Sequence, residues 1–311
     1  NREKAEKKAE IFHEATGPVI CRCGTQTHVK ILENQWFLAY SSKKWKALAK
    51  KCVQRMEFYP EEARANILAT IDWLKDKACA RKSGLGTKVP WDHEWIVETL
   101  SDSTIYMAYY TLARIIYGRK MPAEKLAPEV FDYVFLNKGK TADVVKASKL
   151  NKGVLDEMKK EFEYFYPVDI RCSAKELVQN HLTFFIFHHV ALFPEYLWPR
   201  AIAVNGFVNV EGRKMSKSVG NIIPLRGLIQ KHGPDLVRIN IICSNEGLDD
   251  ADWRTESMSG YMNRLMYIAE LVDTIKAAKK TKAENAEKHL MSRLQNIVKN
   301  TTAQYAAAKF R

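Results

Sequence analysis

The sequence predicts an α/β fold with a parallel sheet, followed by a helical C-terminal part. First, residues 168–172 and 201–204 are apolar, β-rich runs, and a helical pattern that is apolar nearly all round, residues 174–193, lies between them. This order is typical of a βαβ unit with a right-handed crossover. Second, two long amphipathic helical patterns follow at 253–279 and 283–310. With 311 residues and 46% hydrophobic content, the chain can form a sizeable core in two structural units.

The first hundred residues predict a solvated helix, short strands and one core helix. Residues 1–14 are rich in Lys and Glu at i,i+4 spacing, which favours a solvated helix face. Residues 19–38 predict short strands. Pro60, followed by two glutamates, predicts a helix start, and Ser83-Gly84 predicts its end. The stripe expected to face the core consists of Ile67, Ile71, Leu74 and Ala78.

The middle of the chain predicts another helix, an irregular stretch and the start of the βαβ unit. Residues 101–118 show a helical pattern with Ser or Asp at the start and Gly at the end. Residues 119–165 are charged, and we interpret them as an irregular insertion between core elements. Ser173 is the predicted N-cap of the following helix, and Glu176 completes a capping box with it.

A β-hairpin is predicted where the βαβ unit ends. Residues 201–204 and 207–210 are separated by Asn205-Gly206, a two-residue signal for a type I′ turn. Gly212 follows the second run and gives the backbone freedom to swing the next segment.

Directly after the predicted hairpin, a short loop carries two lysines and two hydroxyls. Ammonium and backbone N–H groups on such a loop suit a polyphosphate whose charge grows in a transition state. Taken alone, the same residues also fit a solvated basic loop. Because ligands bind beyond the carboxyl ends of parallel strands, this loop and the loop near Ser173 should converge on one crevice. The loop consists of Lys214, Met215, Ser216, Lys217 and Ser218.

Charge and cysteine content limit the classes of partner. A formal net charge of +13 points to a polyanion, either nucleic acid or nucleotide. The lysines within 43–51 and 279–282 follow a nucleic-acid backbone or are solvated helix faces. Six scattered cysteines favour a reducing compartment. Cys21 and Cys23, with His28 close by, supply half of a zinc site, but no second pair follows, so zinc is not expected.

The sequence contains no membrane or secretion signal. The longest apolar run, residues 182–193, is interrupted by two histidines and is too short to span a bilayer. No signal-peptide pattern is present. A cytoplasmic protein without a membrane partner is therefore expected.

The basic loop and its neighbours resemble a known family. The string KMSKS at 214–218 is similar to the second signature of the class I aminoacyl-tRNA synthetases, and other segments narrow the resemblance to the leucyl type of archaea and the eukaryotic cytosol. DSTIYM at 102–107 differs from the Asp-Thr-Trp-Phe run usual in the valyl and isoleucyl types. The resemblance extends from Gly17 to about Val272. The other segments are ILENQWFLAY at 31–40, ANILATIDWLKDKACARKSGLGTKVPWD at 65–92, LSDSTIYMAYYTLARI at 100–115 and YPVDIRCSAKELVQNHLTFFIFHHVALFP at 166–194.

The resemblance implies the second half of a Rossmann-like, doubly wound parallel-sheet catalytic core, followed by part of an α-helical bundle. No HxGH-type first signature occurs in the sequence. The half that carries this signature, with the editing domain, is therefore an expected partner, and the chain is expected to be a subunit of a split enzyme or a fragment. The implied domains are 1–35, a connection from the editing insertion; 36–225, the core with an insertion at about 119–165; 226–252, a connecting segment; and 253–311, the truncated anticodon-binding domain.

The resemblance also implies roles for the loop and the segment after it. Lys214 and Lys217 match the lysines that bind the ATP phosphates, and Met215, Ser216 and Ser218 belong to the same ATP-binding loop. Gly220 and Asn221 are expected to shape the loop rather than to touch substrate.

A second group of residues matches the adenylate and leucine pocket. Glu176 matches an acidic position that binds the ribose hydroxyls, although a capping box would need no function, and the usual Ser-Gly-Lys-Asp reads Ser-Ala-Lys-Glu in this chain. His181 matches a histidine near the adenylate, and Ser103 and Tyr106 match the leucine pocket. Tyr106 also fits a core aromatic on an apolar helix. The histidines expected to pack without ligand are His188 and His189.

The implied reaction is the attack of the leucine carboxylate on the α-phosphorus of ATP, with Mg²⁺ accompanying the nucleotide, and transfer of the leucyl group to tRNA(Leu). No covalent enzyme nucleophile is needed, so positioning and electrostatics would supply most of the acceleration. Another class I synthetase, of the valyl or isoleucyl type, and a noncatalytic tRNA-binding protein with a retired core are the alternatives. The intact lysines of the loop weigh against retirement.

Overall fold

The computed structural model describes residues 14–21, 23–216, 220–279 and 285–309, which contain eleven strands and twelve α-helices. The elements up to residue 118 are β1 (Phe37–Leu38), α1 (Lys43–Arg55), β2 (Glu57–Tyr59), α2 (Glu62–Trp73), β3 (Lys77–Ala78), β4 (Ala80–Arg81), β5 (Lys88–Val89), β6 (Asp92–Val97), α3 (Thr99–Asp102) and α4 (Tyr106–Gly118). The elements from there to residue 205 are α5 (Pro128–Leu136), α6 (Thr141–Ser148), α7 (Lys152–Phe165), β7 (Arg171–Ala174), α8 (Thr183–Leu192) and β8 (Ala201–Asn205). The remaining elements are β9 (Val208–Val210), β10 (Arg213–Lys214), α9 (Leu225–His232), α10 (Pro234–Ile242), β11 (Ala251–Trp253), α11 (Ser257–Ala277) and α12 (Asn285–Ala306).

A three-stranded parallel sheet in the order β2-β8-β7 lies at the centre of the fold. Cys172 of β7 lies opposite Ala203 of β8, and Phe58 of β2 lies opposite Ile202. The middle strand β8 buries Ala201 on one face and Ile202 and Val204 on the other, as expected for a strand covered on both sides. The predicted βαβ unit is confirmed by the parallel pairing of β7 and β8 with a helix between them. The patterns in the sequence do not predict β2.

The predicted hairpin across Asn205-Gly206 is wrong. The strand β8 belongs to the central sheet, whereas β9 pairs antiparallel with β10 and parallel with β11. Gly206 serves a close approach instead of a turn, because a Cβ there would lie 1.9 Å from the carbonyl oxygen of Asp249. The tight turn lies between β9 and β10, where Glu211 (φ 49°) and Gly212 (φ 74°) both adopt left-handed conformations.

The predicted capping box at the start of the buried helix is also wrong. Ser173 remains in β7, where it pairs with Val204, so it is not available as an N-cap. The chain then forms a 3₁₀ turn (Lys175–Leu177) and a π-helical turn (Val178–Leu182) before α8 begins. The hydroxyl of Thr183, the first residue of α8, donates back to the carbonyl of Val178 at the start of the π turn at 2.6 Å. The predicted burial of the helix is confirmed, since seven of the ten residues of α8 are buried.

Of the two helices predicted between residues 60 and 118, the first begins as predicted but ends early, whereas the second begins differently and ends at Gly118 as predicted. The helix α2 starts after Pro60 and buries Ile67 and Ile71, yet it ends at Trp73 rather than at residue 83. The strands β4, β5 and β6 form a small antiparallel sheet after it, and β3 pairs with β1. The predicted 101–118 helix is divided into α3 and α4.

Residues 119–165 are not irregular. They form the three helices α5, α6 and α7, which contribute Val130, Leu155, Met158 and Phe162 to the main hydrophobic core. The charged positions alternate with this apolar face, so charge content is a poor guide to the packing of the segment. Whether the segment is an insertion stays a prediction, as do the domain boundaries.

The C-terminal part forms a second, smaller core around Leu236, Val237, Trp253 and Met258. Trp253 lies in β11 and not in the predicted helix, which begins at Ser257. Large apolar side chains on α11 and α12 are exposed, and no residue of α12 is buried. Among the described residues, no helix is both long and apolar enough to cross a membrane.

The N-terminal predictions are tested only in part. Residues 1–13 of the predicted solvated helix lie outside the described residues. In the predicted strand region 19–38, the structure has an isolated bridge between Ile20 and Gln26 and the short strand β1.

Candidate functional site

Two chain segments meet at Phe207, close to the carboxyl ends of β7 and β8. The ammonium of Lys175, the first residue after β7, lies 5.0 Å from the centroid of the Phe207 ring, and that of Lys214 lies 4.3 Å from it. Both distances are within the range of a cation–π contact. The start of the basic loop and the chain after β7 therefore meet on one ring, which agrees with the predicted approach of the two segments but shows no shared crevice.

Asp250 connects the same two segments to the chain before β11. One carboxylate oxygen lies 2.5 Å from the Lys175 ammonium and accepts the backbone N–H of Phe207 at 2.8 Å. The hydrogen bond from Lys175 is the largest cause that lowers the pKa of Asp250, followed by the Phe207 N–H and, at longer range, the charge of Lys214. Lys175 is therefore paired with Asp250, whereas Lys214 has no carboxylate within salt-bridge distance among the described side chains.

The side chain of Asn221 holds the basic loop in shape. Its Oδ1 accepts the backbone N–H of Ser216 at 2.8 Å, and its Nδ2 donates to the carbonyl of Lys214 at 3.1 Å. The N–H of Gly220 donates to the Ser216 carbonyl at 3.1 Å. These contacts fit the expectation that Gly220 and Asn221 shape the loop. Met215 is half-buried in it.

Two of the predicted loop residues, Lys217 and Ser218, lie outside the described residues. Their proposed contacts with ATP therefore rest on the resemblance alone.

Tyr106 and His181 are brought together by Arg171, the first residue of β7. Arg171 Nη1 donates to the Tyr106 hydroxyl oxygen at 2.7 Å, and Nη2 donates to His181 Nε2 at 3.1 Å. Tyr106 is half-buried and lies at the start of α4, so it is not simply a core aromatic. Ser103 is the C-cap residue directly after α3, and its hydroxyl donates to the Thr99 carbonyl at 2.8 Å.

Sequence reasoning missed the roles of Arg171 and Lys175. A charged residue inside a strand that reads as apolar was the signal for Arg171, and a lysine directly after a strand was the signal for Lys175. Glu176 follows Lys175 in the 3₁₀ turn and is exposed.

The surroundings of the three histidines of the helical segment all lower the histidine pKa, which favours the neutral ring at neutral pH. Burial lowers the pKa of His181, and the neighbouring Arg171 guanidinium lowers it further. His188 lies between the Tyr40 hydroxyl (3.0 Å) and the Thr104 hydroxyl (2.5 Å), and burial lowers its pKa to about 4.

His189 is fully buried and lies 2.9 Å from the Tyr166 hydroxyl and 2.7 Å from the Phe185 carbonyl. Burial lowers the pKa of His189 to about 4 as well. The packing of His188 and His189 inside the protein is as predicted.

The cavities of the structure lie beside the predicted residues and not around them. A cavity of about 380 Å³ is lined by residues at the carboxyl end of β8, including Asn205, Gly206 and Phe207, and by Tyr59 and Cys172. None of the predicted site residues that the structure describes lines it. Phe207 is the link, because one ring contacts both this cavity and the two lysines.

Cys21 and Cys23 are exposed free thiols. The Cys23 thiol donates to the Thr25 hydroxyl at 3.4 Å, and the hydrogen bonds with Thr25 lower its pKa to about 7. In the part of the chain that the structure describes, no group of three or more His, Cys, Asp or Glu side chains could hold a metal ion.

Comparison with known proteins identifies the family to which the chain belongs. The family described as tRNA synthetases class I (I, L, M and V) matches residues 24–254. Because this match extends over more than half of the chain, the protein belongs to the class I tRNA synthetases.

Its sequence is similar to proteins named leucine–tRNA ligase. The relative from Methanothrix thermoacetophila is 46% identical over 299 residues, which are 94% of this chain and 31% of the relative. The relative from Ignicoccus hospitalis is 49% identical over 268 residues, 86% of this chain and 26% of the relative. The chain thus spans about a third of the length of the relatives that it matches.

The fold is similar to that of solved methionyl-tRNA synthetases. The enzyme of Mycobacterium tuberculosis in complex with methionyl-adenylate superposes with a TM-score of 0.60 at 17% identity, over 95% of this chain and 52% of that one. The free form of that enzyme gives a TM-score of 0.54 at 14% identity, over 92% and 49%. This likeness confirms the predicted α/β class with a Rossmann-like core.

Proposed function

We propose that the chain is the part of a leucine–tRNA ligase that carries the ATP-phosphate loop. The observation that carries the proposal is the meeting of Lys175 and Lys214 on Phe207, where two parallel strands end. The name shared by the most similar relatives supports leucine as the amino acid and tRNA(Leu) as the acceptor.

In the proposed reaction, the leucine carboxylate attacks the α-phosphorus of Mg²⁺-bound ATP, and pyrophosphate leaves. Lys214 and Lys217 stabilise the charge that grows on the leaving group, and Met215, Ser216 and Ser218 complete their loop. A donor that gains strength only in the transition state accelerates the step more than one that binds ATP equally well before reaction.

The other residues are assigned to the remaining parts of leucyl-adenylate. Glu176 is assigned to the ribose hydroxyls, which suits its exposed position beside Lys175. His181 is assigned to the adenylate, and Ser103 and Tyr106 are assigned to leucine.

Activity requires the rest of the enzyme in this proposal. The chain corresponds to about a third of its relatives and carries no HxGH-type sequence, so the first signature and the editing function are assigned to the remainder. The leucyl group is then passed to tRNA(Leu), which the lysine-rich surfaces attract. The cytoplasmic location stays a prediction.

The test is amino-acid-dependent ATP–pyrophosphate exchange after this chain is combined with the remaining part of such an enzyme. We expect exchange with leucine, and little with valine or isoleucine. Lys217→Ala should lower the rate about 10²- to 10³-fold, the magnitude typical of one charge-stabilising donor. The matched control is Lys231→Ala, an exposed lysine on α9.

Three results would contradict the proposal. If the exchange rate of Lys217→Ala is within a factor of about three of the parent rate, the loop does not take part in the activation step. Preference for valine or isoleucine would assign the chain to another class I synthetase, and binding of tRNA without exchange would favour a noncatalytic RNA-binding protein.

A further inference from the structure

Arg171 occupies an unusual position for a charged residue, because it begins a strand of the central sheet and turns its guanidinium toward two uncharged partners. The Nη1 and Nη2 groups reach different elements, Tyr106 on α4 and His181 in the π turn. The guanidinium carbon also lies 5.4 Å from the centroid of the Tyr106 ring. Among the described side chains, Arg171 has no carboxylate partner within salt-bridge distance.

The chemistry of the guanidinium fixes where the protons of both partners lie. Arginine stays protonated and only donates hydrogen bonds. The His181 nitrogen that faces it, Nε2, must therefore accept, which leaves the ring proton on Nδ1. In the same way the Tyr106 oxygen accepts from Arg171, so that its own hydrogen is directed elsewhere.

Burial and the nearby positive charge also favour the neutral form of the His181 ring. The residue is only 4% exposed, and burial lowers its pKa, as does the cation 3.1 Å from its ring. A neutral ring with its proton on Nδ1 is the form that results.

We propose that Arg171 is a positioning residue that sets His181 in the Nδ1–H form and orients the Tyr106 hydroxyl, so that both offer hydrogen-bond donors to an anionic oxygen of the bound amino acid or its adenylate. This inference rests on the proposed function. Two donors held by one rigid fork suit a carboxylate or phosphate oxygen, which only accepts.

A second observation separates this role from a purely structural one. The Nε of Arg171 is buried and has no hydrogen-bond partner in the described part of the chain. A buried donor without a partner is unfavourable for folding and needs an explanation. The explanation offered by the geometry is that the two Nη contacts, and not stability, require arginine at this position.

Nitrogen NMR of this chain alone tests the proton assignment. With ¹⁵N-labelled histidine at pH 7, His181 should show a protonated Nδ1 and an unprotonated Nε2. Arg171→Met removes the donor, so the Nε2–H form should become populated. Arg171→Lys keeps a charge but cannot bridge two acceptors, and it should give an intermediate mixture. The matched control is Arg200→Met, since Arg200 is an exposed arginine paired with Asp169 and should leave the His181 signals unchanged.

Kinetics of the assembled enzyme test the functional part. Arg171→Met should raise the leucine KM at least about tenfold while the ATP KM stays within about twofold, because only the amino-acid end loses its orientation. Arg171→Lys should restore little of this loss. Adding Tyr106→Phe to Arg171→Met should change the leucine KM by less than about twofold, because the two residues act as a unit.

Each outcome separates this inference from the proposed function. A protonated Nε2 in the wild-type chain, or an unchanged tautomer in both Arg171 variants, overturns the inference whatever the enzyme does. An unchanged leucine KM in Arg171→Met overturns the positioning role as well. If the assembled wild-type enzyme fails to activate leucine while the NMR result is as expected, the proposed function fails and the tautomer assignment stands.

Discussion

The end of the candidate site proposed for the amino acid and its adenylate, called the amino-acid end, and the end proposed for the ATP phosphates, called the phosphate end, are built in opposite ways. At the amino-acid end, His181 is 4% exposed and is held by Arg171, which lies in the central sheet. At the phosphate end, Lys214 is exposed and lies against Phe207 on a loop that one asparagine holds in shape. The structure of the amino-acid end depends on packing and on hydrogen bonds that are shielded from water. The phosphate end depends on charged groups at the surface.

This difference determines whether a mutation at each end changes the stability of the fold, the binding of a ligand, or both. A change among buried polar groups alters folding as well as binding, because an unpaired buried group is costly. A change among exposed charges alters the attraction for an anion and leaves the fold nearly as stable, since water screens the charges in both states. The predictions that follow test this contrast.

The largest effect is expected from acid, which acts on two histidines of α8 that follow His181 and pack inside the protein. His188 and His189 have pKa values lowered to about 4, whereas the unfolded chain titrates near the ordinary histidine value. As the pH falls from about 6.5 toward 4, the unfolded state therefore binds protons first, and the folded state loses stability. At pH 5 the loss is about 2 kcal/mol per histidine relative to pH 7.5.

Urea unfolding of the chain at pH 7.5, 6.5 and 5 measures this loss. His188→Gln should remove about half of the pH dependence, whereas His289→Gln, on the exposed face of α12, should leave it unchanged. Equal stability at pH 7.5 and pH 5 would show that the two buried rings do not titrate as described.

A smaller effect is expected from Asn221 at the exposed end. Asn221→Ala removes the acceptor for the Ser216 N–H and the donor to the Lys214 carbonyl, so the loop lysine is misplaced. Leucine-dependent exchange in the assembled enzyme should fall about tenfold, which corresponds to about 1.4 kcal/mol.

Asn221→Asp provides the graded control, because it keeps the acceptor for Ser216 and loses the donor to Lys214. Its exchange rate should lie between those of the parent and the alanine variant. A large loss of unfolding free energy in Asn221→Ala would contradict the view that this end is separable from the fold.

The smallest effect on stability is expected from the exposed lysine–carboxylate pair. Lys175→Met removes the partner of Asp250, and the pKa of that carboxyl should rise toward its ordinary value. Because both side chains are a third exposed, the urea midpoint should stay the same within error at neutral pH. A clear drop in the midpoint would show that the phosphate end is also part of the folding core.

The sequence was most informative where hydrophobic patterning decides the structure. The βαβ unit follows from two apolar runs and a helix without a polar face, and the parallel pairing of β7 and β8 agrees with it. Local turn and cap signals were less reliable, because tertiary contacts override them. Gly206 is required by the carbonyl of Asp249, and Ser173 continues a strand because Val204 pairs with it.

The candidate site was predictable only as far as the resemblance reaches. Tyr106 and His181 come from matching positions, but the arginine between them lies 65 residues from one and 10 from the other. No local pattern encodes a contact across that distance. Lys214 was predicted from the loop, whereas its meeting with Lys175 on one aromatic ring needed the coordinates.

The π turn before α8 makes the length of that segment as important as its composition. A π turn holds one residue more than an α turn, and each residue advances a helix by about 100°. Deleting one residue from Val178–Leu182 would replace the π turn by an α turn. The residues between β7 and this turn would then rotate about the helix axis by about a quarter of a revolution relative to α8. Substitutions are therefore better tolerated in this segment than insertions or deletions. If a related sequence lacks one residue here, an alignment without a gap pairs residues whose side chains face different directions.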